Sequence, residues 1–96
     1  MGLDVYYLSD KKMKNCLISL SDVDVKSLGE YICLLKEKTG VYIDPYGTTK
    51  LYPAHGLILL KAILADERKI EKNIMNFVGV IEESVNRDDV LIFDGD

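Results

Sequence analysis

The chain has 96 residues, 48% of them hydrophobic, which is one domain with enough apolar side chain for a single core. Sixteen acidic residues face twelve basic ones, a net charge of −4, and this argues against a nucleic-acid-binding domain. The longest apolar run, Leu57 to Leu60, is too short to span a bilayer, and the start Met1-Gly2-Leu3-Asp4 has neither a basic region nor an apolar stretch behind it. The expectation is a soluble, cytoplasmic protein with no membrane contact.

Leu3-Asp4-Val5-Tyr6-Tyr7-Leu8 is β-branched and aromatic and reads as a strand. Ser9-Asp10-Lys11-Lys12 reads as a turn, and Lys14 completes a small solvated basic tip. Cys16, Ile18 and Leu20 alternate with Leu17, Ser19 and Ser21, so a second strand should close an antiparallel hairpin. Cys16 and Cys33 lie in apolar runs and are expected to be buried free thiols.

Ser21-Asp22-Val23-Asp24 has the form of a helix start, with Ser21 as cap and Asp24 closing a capping box. Val25, Leu28, Ile32 and Leu35 recur at helical spacing. Lys36 and Lys38 suit the last turn, and Gly40 supplies a left-handed stop. Val41-Tyr42-Ile43 reads as a short extended piece. Asp44-Pro45-Tyr46-Gly47 matches a type I turn, with Asp first, Pro second and Gly fourth. Thr48, Thr49 and Lys50 read as loop, and Leu51-Tyr52 as a brief further extension.

Pro53 opens a helical pattern that runs to about Asn86. Leu57, Leu60 and Leu64 make an apolar stripe at its front. Ile63, Ile70, Ile74, Phe77, Ile81 and Val85 make another behind. The polar stretch Ala65-Asp66-Glu67-Arg68 predicts a break or kink, and Gly79 is expected to permit close packing on the sheet. Val90-Leu91-Ile92-Phe93 is a terminal strand, apolar on both faces, hence central or covered on both sides. The whole reads as one α+β domain over 1–96. A small antiparallel or mixed sheet is packed by two or three helices, in the order β-β-α-(β)-α-β.

The chemistry-bearing residues are sparse. His55 is the only histidine and has no nucleophile motif beside it. Zinc ligands at the needed spacing are absent. Asp22-x-Asp24 opens like a calcium loop, but Ser27 and Cys33 stand where Gly and Glu are required. No Gly-rich loop joins a strand to a helix. No enzyme, metal or cofactor is therefore expected. A site around Asp44, Tyr46 and His55 is the enzymatic alternative.

Two features point to a binding surface. Tyr42, Tyr46 and Tyr52 cluster around the Asp-Pro-Tyr-Gly turn, and exposed tyrosine anchors interfaces. Charge is also uneven. Residues 82–96 hold Glu82, Glu83, Asp88, Asp89, Asp94 and Asp96 against Arg87 alone, a net of −5. An acidic face steers a basic partner. The candidate partner-binding residues are Asp44, Tyr46, Tyr52, Glu82, Glu83, Asp88 and Asp89. The plain alternatives are rings that roof the core and charges that keep the chain in solution.

Three stretches resemble a known group: the loop Thr39-Gly40-Val41-Tyr42-Ile43-Asp44-Pro45-Tyr46-Gly47-Thr48-Thr49, the helix after it, and the close Leu91-Ile92-Phe93-Asp94-Gly95-Asp96. Together they cover about 30% of the chain, roughly 39–60 and 90–96. They look like the small bacterial immunity proteins of polymorphic-toxin and contact-dependent growth inhibition systems. The resemblance implies an inhibitor and no enzyme: a protein that binds the C-terminal domain of a cognate toxin, often a nuclease, and blocks its active site or substrate entry. It implies no direct contact with nucleic acid. The alternative from a different class is a self-associating structural or accessory module, a homodimer built on the terminal strand and the long helix.

Overall fold

The computed structural model describes residues 2–66 and 72–95. The element order is β1 (Gly2–Tyr7), β2 (Ile18–Ser21), α1 (Asp22–Ser27), α2 (Gly29–Thr39), β3 (Thr48–Leu51), α3 (Pro53–Ala65), α4 (Lys72–Arg87) and β4 (Leu91–Gly95). The fold is α+β, as the sequence implies. The sheet is fully antiparallel, in the order β2-β1-β4-β3.

Alternation decides which face is dry. Leu3, Val5 and Tyr7 of β1, Leu20 of β2, Leu51 of β3, and Leu91 and Phe93 of β4 are buried against the helices. Phe93 meets Phe77 of α4 edge to face, with centroids 5.9 Å apart. Register places the alternate residues on the other face: Ser19 beside Asp4, Asp4 beside Asp94, Asp94 beside Thr48, and Tyr6 beside Ile92 beside Lys50. These are half-buried or exposed, and no described helix covers them.

Local signals place the helix ends well. The Ser21 hydroxyl accepts the Asp24 N–H at 3.2 Å, and the Asp24 carboxylate accepts the Ser21 N–H at 3.0 Å. Gly40 closes α2 at φ +80, in the region that glycine occupies without strain. Pro53 sits in the first turn of α3.

Several boundaries differ from expectation. The helix after Ser21 divides at Leu28, whose ψ of −4 ends α1, and Gly29 starts α2 afresh. The long helical pattern also divides, α3 ending at Ala65 and α4 starting at Lys72. Asp66 turns to φ −80, ψ 123, while Glu67, Arg68 and Ile70 lie outside the described residues, as do Met1 and Asp96. Two helical runs thus give four helices. Val41-Tyr42-Ile43 is not a strand, and Thr48–Leu51 is, because β-branched Thr48 and Thr49 pair with β4. The Thr49 hydroxyl accepts the Asp44 N–H at 3.0 Å and donates to the Tyr42 carbonyl at 3.4 Å, tying the 42–44 segment to β3. The terminal strand is central as expected. However, its second face, with Ile92, lies open.

Burial brings three corrections. Cys16 and Cys33 are free and exposed, because Cys16 lies in the β1–β2 connection and Cys33 lies off the buried Ile32–Leu35 stripe of α2. Gly79 faces open space rather than the sheet. In α3 the packed side is Gly56, Leu59, Leu60 and Ile63, leaving Leu57 and Leu64 exposed.

Candidate functional site

The Asp44–Gly47 turn is pinned from three directions. The Asp44 carboxylate accepts the Tyr46 N–H at 2.9 Å, an Asx turn. The Gly47 N–H reaches the Asp44 carbonyl at 3.4 Å, and the Gly95 N–H donates to the Gly47 carbonyl at 2.8 Å. A Cβ at Gly95 would lie 2.2 Å from the Pro45 carbonyl oxygen, so glycine is what lets the turn sit on the end of β4. Tyr46 is carried outward on this support, 71% exposed.

Next to the turn, Asp94 stands directly opposite Asp4, with Thr48 on its other side. Like charges at opposed positions repel. The Ser19 hydroxyl donates to Asp4 at 2.6 Å, and among the described residues no cation pairs with either carboxylate. Tyr6 continues the same face. Partial burial pushes its hydroxyl pKa above the ordinary value, and the charges of Cys16, Asp4 and Asp94 push the same way.

The other candidates gather at the opposite end of β4. Tyr52 follows β3 and stacks edge-on against His55, with centroids 5.9 Å apart. The His55 Nδ1 is buried and has no hydrogen-bond partner among the described residues. Glu82 and Glu83 are exposed on α4, and Asp88 turns the chain toward β4 at φ +53. Arg87 lies 4.0 Å from Glu83, 3.8 Å from Asp89 and 4.3 Å above the Tyr7 ring. The Ser9 hydroxyl donates to Asp89 at 2.9 Å. Burial raises the Tyr7 hydroxyl pKa, Glu83 adds to the rise, and Arg87 opposes it.

No family model matches the chain, and comparison with curated proteins and with solved structures gives no match.

The seven candidate residues thus form two groups. Asp44 and Tyr46 lie where β4 ends, and Tyr52, Glu82, Glu83, Asp88 and Asp89 lie where it begins. Sequence reasoning missed Asp4 and Tyr6, which the structure brings to the Asp44–Tyr46 end, and the pairing of Asp94 with Asp4. Alternation in β1 already puts Asp4 and Tyr6 on one face. Pairing Asp4 with Asp94, ninety positions away, requires the register. Among the described residues no group of three His, Cys, Asp or Glu side chains could hold a metal ion. None of the described helices is long and apolar enough to cross a membrane.

Proposed function

We propose that this protein is an immunity-type inhibitor: it binds a cognate toxin domain, a nuclease with a basic cleft, and occludes its active site or substrate entry. The observation that carries the reading is the pinned turn that presents Tyr46 beside the Asp94–Asp4 pair on an uncovered sheet face. A fixed turn loses little entropy on binding, so an exposed ring on it serves as an anchor. Two carboxylates held against their mutual repulsion are relieved when a lysine or arginine arrives, as the basic cleft of a nuclease would provide. The acidic group at the other end of β4, Glu82 and Asp88 above all, supplies long-range steering.

The test is affinity purification of the tagged protein from its native host at low salt, with the stoichiometric partner identified by mass spectrometry. A co-purifying basic toxin domain, released by Tyr46→Ala and by Asp4→Lys with Asp94→Lys, is the expected result. Recovery of the protein without any such partner refutes the reading.

A further inference from the structure

Helices α2 and α3 leave a groove of about 650 Å³ between them. That lies within the roughly 300–1,000 Å³ of small-molecule sites. The groove exists because its two walls differ in size. Tyr31 and Leu34 of α2 stand across from Ala62 and Ala65 of α3, whose methyl groups do not fill the space that a ring and a leucine hold open. Tyr31, Leu34, Ile58 and Ala62 are half-buried, so the floor is apolar and open to solvent. None of the residues assigned to toxin binding lines it.

The two ends of the groove differ in charge. The Tyr31 hydroxyl donates to Asp66 at 2.6 Å, which sets the start of α2 level with the end of α3. From there the groove runs forward along α2 to Lys38 and backward along α3 to Ile58, so the two helices are antiparallel. Glu30 and Asp66 mark one end, and Lys38 and Lys61 the other. Counted from the Tyr31–Asp66 level, Lys38 is seven residues on and Lys61 five residues back, about 3 Å apart along the groove on opposite walls. Among the described residues neither lysine takes part in an ion pair. Two ammonium groups flanking one end of an apolar floor repel each other until an anion sits between them.

We infer that the α2–α3 groove binds a medium-chain fatty acid, with its carboxylate between Lys38 and Lys61 and its tail along Leu34, Ile58, Ala62 and Tyr31. Charge sets the direction, since Glu30 and Asp66 repel the carboxylate from the far end. The floor selects the tail. Helix backbones are bonded internally and the Tyr31 hydroxyl is spent on Asp66, so an extended peptide would leave its own amides unpaired there. From Tyr31 to Lys38 the groove is about 10 Å long, under two turns of a helix, which is too short to seat a partner helix. A single acyl chain matches that length. The inference does not rest on toxin binding, whose anchors Tyr46, Asp4 and Asp94 belong to the open face of the sheet.

Decanoate, titrated into the full chain below its micelle concentration and followed by amide NMR shifts, tests it. Saturable shifts at Leu34, Ile58 and Ala62 are expected. Hexanoate should bind about tenfold or more weakly, because its shorter tail leaves part of the floor wet. Decyltrimethylammonium has the same length of tail and the opposite charge, and should bind about fivefold or more weakly than decanoate. Lys38→Glu combined with Lys61→Glu should reverse that preference. Both lysines are exposed, so circular dichroism of this variant should match the parent. Ala62→Leu, which fills the groove without altering charge, should remove decanoate binding. The absence of saturable shifts overturns the inference. So does equal binding of the two decyl probes, a preference that survives the double charge reversal, or shifts centred on Leu57, Leu64 and Met75 instead of the groove.

Discussion

The two ends of strand β4 carry similar residues and use them differently. Where the strand begins, Arg87 reaches Glu83, Asp89 and the Tyr7 ring, and Ser9 closes on Asp89. Much of the charge there is satisfied within the chain. Where the strand ends, Asp94 faces Asp4, and the turn beside them holds Tyr46 out. The lesson is that counting acidic residues locates charge, whereas partners decide whether that charge is available. The stretch 82–96 looks uniformly acidic in sequence, but its Asp94 is the member set against another carboxylate.

The sharpest way to break the contrast is Gly95→Ala. The added methyl meets the Pro45 carbonyl, so the turn must shift, at a cost of about 1–3 kcal/mol. Urea unfolding should show that loss, and binding through Tyr46 should fall with it. An unchanged midpoint would mean that the turn is not seated on β4.

Asp24 belongs to the same end, since Ser21 pairs with Gly2 at the tip of the sheet. Burial pushes its carboxyl pKa up, but hydrogen bonds from Ser21 and Asn73 outweigh this and hold it below the ordinary value. The depressed pKa makes its contribution complete above the unfolded carboxylate pKa of about 4 and lost as pH falls through the folded value. Asp24→Ala should cost about 0.5–2 kcal/mol at neutral pH. The difference from the parent should shrink in acid, as a pH series of thermal unfolding would reveal.

At the other end, Arg87→Ala removes two long, partly exposed ion pairs and a ring contact. The expected loss is about 1 kcal/mol, and added salt should diminish it. Asp94→Asn should do the reverse. Relieving the repulsion with Asp4 is expected to stabilise the chain by a few tenths of a kcal/mol at low salt, while weakening a basic partner. Opposite signs for Arg87→Ala and Asp94→Asn in one set of melts would establish the contrast. Equal signs would dissolve it. Gly79→Ala, on an open helical face, calibrates the scale with a gain of about 0.5–1 kcal/mol.

Much of this molecule is local. The Ser21–Asp24 box, the Gly40 stop, the Asp44–Gly47 turn and Pro53 at the head of α3 each follow from chemistry within four residues, and the sequence alone determines them. Alternation in β1 and the apolar Leu91–Phe93 run likewise determine an α+β domain with a central last strand. What tertiary structure decides is relational. β3 forms at Thr48–Leu51 because β4 is there to pair with, and Cys33 is exposed because Ile32 and Leu35 fill the core side. Leu57 and Leu64 are left outside because Leu59, Leu60 and Ile63 take the space beneath α3. The Asp4–Asp94 pair exists only through register across ninety residues, since periodicity fixes which face a side chain takes and only strand pairing fixes what stands beside it.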